Sequence, residues 1–204
     1  MLDHLVFAGP NLADAVAQVT ELTGVVPVRG GAHEGRGTAN YLAGLGRDAY
    51  LEIIGPDPEQ PEPGQPRPFG IDGLTEAKLV TWAVHPADLD SAIKIARGNG
   101  YEPGEPAEMS RRTADGELLT WRLTPQGGLD GLAPFLIDWG TTAHPTSRDL
   151  PVIPLLMMTG VHPDPAAVRK VTAALGLEFL VRKDKTPGLV AVLTDTSGRQ
   201  VSLT

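Results

Sequence analysis

Histidines are the residues of this chain best suited to proton transfer, since it has five of them and no cysteine. His33 stands in the glycine-rich run GGAHEGRGTAN, close to Asn40. An unperturbed imidazole titrates near pH ~6.5, so His33 can act as a general acid or base. The same composition is also typical of an exposed loop without a chemical role. Both interpretations of His33 stay open at this point.

Two adjacent arginines are suited to binding an anion. Arg111 and Arg112 fall on a predicted strand, where successive side chains point to opposite faces, so one of them must face inward. An inward arginine can clamp a carboxylate or phosphate with two parallel hydrogen bonds. We assign this role to Arg112, with a salt bridge to Glu108 or Glu117 as the alternative.

Composition and motifs exclude several classes of site. A formal net charge of −8 argues against binding to nucleic acid or to an anionic membrane surface. The chain lacks a P-loop, a nucleophile elbow, an EF-hand loop and a zinc-peptidase histidine pair. The glycines around His33 do not join a strand to a helix, so no nucleotide cofactor is expected. No apolar run reaches the roughly 20 residues of a membrane helix, and the N-terminus lacks a basic stretch, so a cytoplasmic protein is expected.

Three stretches repeat one pattern: an apolar strand, a polar break, an amphipathic helix and a glycine. Leu12 and Leu89 are 77 residues apart, as are His85 and His162. The glycines that favour a left-handed helix stop are Gly24, Gly100 and Gly176. His85 and His162 each precede proline, which favours entry turns to the helices and a structural role. The pattern predicts repeated βα units.

The segments after each helix predict how many strands complete each unit. The first two repeats continue with three strand-like segments, which gives βαβββ in residues 1–56 and 77–140. Residues 141–204 form a connector and a shorter unit, predicted as βαββ. Six prolines lie from Pro56 to Pro68, and residues 57–76 are predicted to form an exposed linker. Asp115-Gly116 and Ser197-Gly198 are typical of hairpin turns. We expect one compact structural domain.

Several segments carry a family resemblance. The opening LDHLVFAGPNL, the strand YLEIIGPDP, the stretch SRRTADGELLTWRL and the closing PFLIDWG resemble the glyoxalase-like proteins of the vicinal-oxygen-chelate superfamily. The resemblance covers about residues 1–140. It implies an α+β fold of glyoxalase/bleomycin-resistance type, in which tandem βαβββ modules curve into a mixed-sheet cup around a small molecule.

The resemblance also implies positions for metal ligands. In that superfamily the ligands stand on the first and last strand of a module, which here places them at His4 and Glu52. In the second module the partner of His4 is Thr81, a poor ligand. The partner of Glu52 is Asp138, or Ile137 if the match shifts by one residue. One divalent metal (Zn, Ni, Mn or Fe) held by His4, Glu52 and Asp138 is expected, with a metal-free polar pocket as the alternative.

Two functions remain open after the resemblance. The first is a metal-assisted lyase or isomerase acting on a small oxygenated or carboxylated metabolite, with Glu52 and His33 as catalytic residues. The expected substrate contacts are Arg112, Trp121, Asn40 and Tyr50. The second is a binding protein that sequesters a small molecule without chemistry. A third βα unit lying along a sheet edge would leave a monomer, and a homodimer is the alternative.

Overall fold

The first two repeats each form a βαβββ module, as predicted. The computed structural model of the protein describes residues 1–113 and 116–204. The first module consists of β1 (Leu2–Ala8), α1 (Leu12–Thr23), β2 (Val28–His33), β3 (Thr38–Gly46) and β4 (Ala49–Pro56). The second module consists of β5 (Lys78–Val84), α2 (Leu89–Gly98), β6 (Ala107–Arg112), β7 (Leu118–Leu123) and β8 (Phe135–Asp138). Asp115, from the predicted hairpin turn between β6 and β7, lies outside the described residues.

The strands of the two modules close into one barrel. In each module the last strand returns beside the first in parallel, so that β1 pairs with β4 and β5 with β8. The modules join through antiparallel pairs, β1 with β5 and β2 with β6. The resulting order is β1-β4-β3-β2-β6-β7-β8-β5. The predicted α+β fold class is confirmed, and the barrel interior is the predicted cup.

Local sequence signals place the helices. Asn11 accepts hydrogen bonds from the backbone of Ala13 and Asp14, and so caps α1. Asp88 caps α2 through the backbone N–H of Ser91. The three repeated glycines follow their helices with φ values of +74°, +80° and +69°, a conformation that side chains disfavour. These capping residues and glycines determine where each helix begins and ends.

Alternation along the strands separates two apolar clusters. Leu5 and Phe7 of β1 point outward, into a core that α1, α2 and the third unit cover. Val6 and Ala8 point inward with Tyr50 of β4, into a second cluster inside the barrel. The outer face of β1 therefore packs against the helices, and its inner face borders the cup.

The third unit has one strand more than predicted. It consists of β9 (Leu155–His162), α3 (Pro165–Ala174), β10 (Leu180–Lys183), β11 (Gly188–Thr194) and β12 (Gln200–Leu203). The predicted βαββ is therefore corrected to βαβββ, because the chain turns at Ser197-Gly198 and returns as β12. Its order, β10-β9-β11-β12, also differs from that of the modules, since β10 pairs directly with β9.

The third unit packs on the outside of the barrel. Phe179 stacks on Trp82 of β5 with ring centroids 5.1 Å apart. Gly160 of β9 lies against Leu132, where a Cβ would come 2.7 Å from the leucine side chain. The outer face of β5, with Leu79 and Trp82, is thereby buried. Within the described residues, no helix is long and apolar enough to cross a membrane.

The proline-rich segment, most of which is exposed, also forms part of the wall of the cup through Pro66, Pro68 and Phe69. Arg67 anchors it, with ion pairs to Asp72 at 2.7 Å and Glu62 at 2.8 Å. The hydrogen bond to Asp72 raises the pKa of Arg67, and burial opposes this shift only in part. The guanidinium therefore keeps its charge. Phe69 follows in a left-handed conformation with φ +60°, a strained state for an aromatic residue. Its ring lies 6.0 Å from that of Phe135 in the cup.

Candidate functional site

The barrel encloses a cavity of about 370 Å³ whose two halves differ in chemistry. The first module contributes the polar side chains of His4, His33, Asn40, Tyr50 and Glu52. The second module contributes mainly apolar side chains, namely Met109, Trp121, Leu123, Phe135, Ile137 and Trp139. This volume and this mixture suit a small organic ligand.

Glu52 lies at the centre of the polar half. Its Oε1 accepts a hydrogen bond of 2.6 Å from Asn40 Nδ2 and lies 3.8 Å from His33 Nε2. Its Oε2 lies 3.8 Å from His4 Nε2. The structure gives Oε2 no hydrogen bond among the described residues, although the side chain borders the cavity. One oxygen of the carboxylate is held, and the other has free lone pairs.

His33 is buried at the end of β2, so the structure favours a cup residue over an exposed loop. Its Nδ1 lies 3.1 Å from Thr38 Oγ1, and its Nε2 lies 3.5 Å from Asn40 Nδ2. Burial lowers the pKa of His33, with Glu52 opposing this shift and Arg111 adding to it. The imidazole is therefore neutral at neutral pH and can accept a proton.

His4 lies between two aromatic rings and a carboxylate. Its ring stacks on Tyr50 at 4.7 Å and meets the edge of Phe135 at 5.4 Å. Its Nδ1 lies 2.6 Å from Asp3 Oδ1. Burial raises the pKa of Tyr50 well above its ordinary value, so the phenol stays neutral. The ring plane of His4 is fixed from both sides.

Of the two adjacent arginines, Arg111 faces the cup and Arg112 does not. Arg111 is 3% exposed and donates to the carbonyl of Gly30. Arg112, assigned to ligand binding from the sequence, has a side chain that is 50% exposed and pairs with Glu34 at 3.0 Å. The assignment is therefore corrected to Arg111. Burial lowers the pKa of Arg111, opposed by Tyr50 and Glu52, but guanidinium remains charged in proteins.

Asp138 also lies outside the cup. It accepts hydrogen bonds from the backbone of Gly140 at 2.9 Å and from Arg122 at 3.1 Å. Ile137 precedes it and faces the cavity, so alternation turns Asp138 outward. The prediction of Asp138 as a third metal ligand is corrected for this reason.

The strand register identifies the residue that stands where Glu52 stands in the first module. Val6 pairs with Glu52 across β1 and β4. Its counterpart 77 residues later, Ala83, pairs with Phe135 across β5 and β8. Phe135 therefore occupies the position equivalent to Glu52, three residues before Asp138.

The other predicted ligand contacts border the cavity. Asn40, Tyr50 and Trp121 all line it. Trp121 packs against Trp139 with ring centroids 5.3 Å apart, and the pair forms much of the apolar wall. The structure brings these residues to the cup, and their contacts with a ligand remain a prediction.

The comparison with protein families decides the assignment of the fold. A family model described as glyoxalase-like domain matches residues 2–176. The chain belongs to the glyoxalase-like domain family. The resemblance to the glyoxalase-like proteins, drawn from short segments of sequence, is confirmed. A search of curated proteins gave no match.

Comparison with solved structures gives similar chains at low sequence identity. A hypothetical protein from Staphylococcus aureus is 15% identical, with a TM-score of 0.66, over 98% of this chain and 84% of that chain. A methylmalonyl-CoA epimerase from Streptomyces coelicolor, solved with 2-nitronate-propionyl-CoA, is 19% identical, with a TM-score of 0.45, over 71% and 98%. The epimerase from Mycobacterium tuberculosis is 17% identical, with a TM-score of 0.40, over 67% and 84%. At 15% identity, the similarity to the Staphylococcus aureus protein concerns the fold alone.

The donor set does not fit the divalent metal that the superfamily implies. Of the four equivalent positions on the first and last strands, two hold His4 and Glu52 and two hold Thr81 and Phe135. The buried Thr81 hydroxyl lacks a hydrogen-bond partner, yet a neutral hydroxyl is a weak ligand and a phenyl ring is none. Within residues 1–113 and 116–204, no group of three or more histidine or carboxylate side chains is arranged to hold a metal. Catalytic zinc sites use three protein ligands.

Three residues of the site were missed in the sequence. Asp3 is buried and bonded to His4, but nothing in LDHLVF marks it as different from a strand end. Arg111 was weighed and not chosen. Phe135 lies in the wholly apolar run PFLI, where alternation gives no signal of which residue faces the cup.

Proposed function

We propose that the protein is an acid–base isomerase or lyase acting on a small carboxylated metabolite, with Glu52 as the proton-transferring base. The observation that supports this most strongly is the environment of Glu52. One oxygen is held by Asn40 at 2.6 Å, and the other faces the cavity without a hydrogen bond among the described residues. A positioned carboxylate at the wall of a mostly apolar cavity is a suitable general base.

The charge of the substrate follows from Arg111. The structure shows no carboxylate hydrogen-bonded to this buried guanidinium in the described part of the chain, where its bond goes to the Gly30 carbonyl. An uncompensated buried cation is costly, and an anionic ligand would offset that cost. Arg111 is therefore the residue proposed to bind the substrate carboxylate.

The proposed step is a proton abstraction next to a carbonyl group. The C–H bond breaks, its proton forms an O–H bond with Glu52 Oε2, and its electron pair moves to the carbonyl oxygen as an enolate. Arg111 offsets the negative charge of the ligand. Return of the proton to a different position completes an isomerisation, and loss of a leaving group from the enolate completes an elimination. His4 Nε2, 3.8 Å from Oε2, can take up and return the proton, and neutral His33 lies at the other oxygen, Oε1.

The proposal requires no metal ion, in agreement with the donor set of the cup. His4 and Glu52 take part as a proton-transfer pair and not as ligands. Asn40 keeps Glu52 in place, and Trp121 and Trp139 exclude water from the apolar side. Low local polarity strengthens the interaction between Arg111 and an anion.

Hydrogen–deuterium exchange tests the proposed step without knowledge of the product. The purified protein in D2O is incubated with pyruvate, 2-oxobutyrate or phenylpyruvate, and loss of the C3–H signal is followed by NMR. We expect exchange above the buffer rate with at least one of these 2-oxo acids. If all three bind and none exchanges faster than in buffer, the proposed step is contradicted.

A second candidate function is sequestration of a small molecule without chemistry. The specific observation that favours it is Phe135 at the position equivalent to Glu52, together with the Trp121–Trp139 wall. A thermal-shift increase with a ligand that is recovered unchanged, combined with absence of exchange, would support this function over the first.

A further inference from the structure

Asp3 is a buried carboxylate with an unusually complete set of N–H partners, and the proposed reaction does not use it directly. Its Oδ1 lies 2.6 Å from His4 Nδ1. Its Oδ2 accepts from Trp139 Nε1 at 3.0 Å and lies 3.1 Å from His144 Nε2. His85 Nδ1 lies 3.7 Å away. The Asp3 side chain has no exposed surface, so water does not compete for these bonds.

The partners of Asp3 come from four separate parts of the chain. His4 follows Asp3 in β1, His85 follows β5, Trp139 follows β8, and His144 lies in the connector to the third unit. The pairing of β1 with β5 shifts its register between Leu2 and His4, which places the irregularity at Asp3 itself. An irregular strand end is a common way to re-aim a side chain. The carboxylate therefore ties one end of the barrel to the polar half of the cup.

The ionisation state of Asp3 follows from these contacts. Burial alone would raise the pKa of this carboxyl, but the hydrogen bonds with His144 and His4 outweigh burial and hold the pKa far below its ordinary value. An ionised carboxylate only accepts hydrogen bonds. Because Oδ2 already accepts from Trp139 Nε1, which can only donate, we assign the 2.6 Å contact of Oδ1 as a hydrogen bond donated by His4 Nδ1.

The aromatic contacts of His4 leave one property of the ring undecided. Stacking on Tyr50 and the edge of Phe135 fix the plane of the imidazole. They do not distinguish the ring from its form rotated by half a turn, which would exchange Nδ1 and a carbon. Only a directional bond to a ring nitrogen makes that distinction, and Asp3 provides it.

We propose that Asp3 is a positioning residue of the cup, which keeps the proton of His4 on Nδ1 and directs Nε2 toward Glu52 at 3.8 Å. Its catalytic consequence rests on the function proposed above. His144 and Trp139 orient the carboxylate, and His4 relays that orientation to Glu52. Asp3 thus determines which ring nitrogen of His4 faces Glu52.

The substitution Asp3→Asn tests this role because it changes an acceptor into a group that can also donate. With Asn Oδ1 kept by Trp139, the amide N–H would face His4 Nδ1 and move its proton to Nε2. Long-range ¹⁵N–¹H NMR of the imidazole reports which nitrogen carries the proton. We expect protonated Nδ1 in the unsubstituted protein and unprotonated Nδ1 in Asp3→Asn.

Asp195→Asn is the matched control. Asp195 is also buried and accepts from Ser197 and Arg199, but it lies in the third unit away from the cup. This variant should leave the His4 spectrum unchanged. In the exchange assay, Asp3→Asn should lower kcat by about tenfold or more, as loss of outer hydrogen-bond partners does at other sites, with KM nearly unchanged.

The two readouts separate failure of the inference from failure of the proposed reaction. Unprotonated His4 Nδ1 in the unsubstituted protein, or an Asp3→Asn spectrum identical to it, overturns the positioning role. If the protein catalyses no exchange but the tautomer changes as expected, the positioning role stands and the reaction proposal fails. Should Asp3→Asn not fold, the spectrum of the unsubstituted protein still decides, because a downfield Nδ1–H that exchanges slowly with water is required.

Discussion

The two halves of the cup share one scaffold and differ in nearly every side chain that faces the cavity. Both modules have the order βαβββ and the same parallel return of the last strand. In the first module the facing positions hold His4 and Glu52, and in the second the equivalent positions hold Thr81 and Phe135. A repeated scaffold therefore does not imply a repeated site. One half can keep proton-transfer groups while the other becomes a wall for the apolar part of a ligand.

Arg111 is the exception that connects the halves. It belongs to the apolar module, yet it lies against Gly30 of the polar one. A Cβ at Gly30 would collide with the Asn40 amide, so glycine there lets Asn40 pack closely beneath β2. The cation and the carboxylate base thus face one cavity from opposite modules.

Replacing the base of the polar half should have the largest effect. Glu52→Gln keeps the shape and the contact with Asn40 but cannot accept a proton. We expect the exchange rate to fall by about 10²–10⁴-fold, the usual contribution of general acid–base catalysis. The measurement is C3–H exchange by NMR. Glu108→Gln, exposed on β6, is the control and should keep the full rate; similar losses in both would contradict the role of Glu52.

Removing the cation of the apolar half should have the next largest effect. Arg111→Met retains the length of the side chain and loses its charge-assisted bonds. Affinity for a carboxylate probe should weaken by about 10–100-fold, which corresponds to roughly 1.5–3 kcal/mol for a hydrogen bond to a charged group. Calorimetric titration gives this directly. Arg112→Met should bind as tightly as the unsubstituted protein, and the reverse order of the two arginines would refute the placement.

Trimming the apolar wall should have a smaller effect. Phe135→Leu removes the aromatic edge next to His4 and should weaken binding of phenylpyruvate by about twofold to tenfold, in line with an aromatic contact. Binding of pyruvate should change less, because it lacks the ring. Phe179→Leu removes an aromatic contact outside the barrel and should alter stability only. Equal losses for both acids would argue against the wall as a specificity element.

His33, which only the polar half contains, should make the unfolding free energy depend on pH. Burial lowers the pKa of His33 in the folded protein, so the unfolded chain binds a proton more readily. Its contribution to stability is present above the ordinary histidine pKa of ~6.5 and is lost as pH falls toward the folded value. The unfolding free energy from urea titrations should therefore fall less steeply with acid in His33→Asn. His162→Asn, away from the cup, is the comparison, and identical slopes for His33→Asn and the unsubstituted protein would contradict the shift.

The fold could be predicted from the sequence more completely than the site. Offsets of 77 residues, the N-cap residues and the glycine stops were enough to predict both modules. The third unit was predicted less well, because the stretch LVAVLTDTSGRQVSL was taken as one strand. Its last hairpin was signalled by Ser197-Gly198 and should have been counted as two strands.

The site was predicted well where alternation was clear and poorly where it was not. His4, Tyr50 and Glu52 lie in strands with an apolar outer face, so the sequence predicted that their side chains face inward. Asp138 lies at the end of an apolar run and Arg112 in a polar strand, so the sequence did not show which residue faces inward, and both were assigned to the wrong face. Asp3 depends on contacts with residues more than 130 positions away, which no local pattern contains.

The central claim is that the polar half alone supplies the proton-transfer groups and that the reaction needs no metal ion. The most direct test is elemental analysis and the exchange assay on one sample, before and after chelation. We predict substoichiometric Zn, Ni, Mn and Fe, and an exchange rate unchanged by chelation or by adding these ions back. One bound metal per chain, with exchange lost on chelation and restored by that metal, would contradict the account.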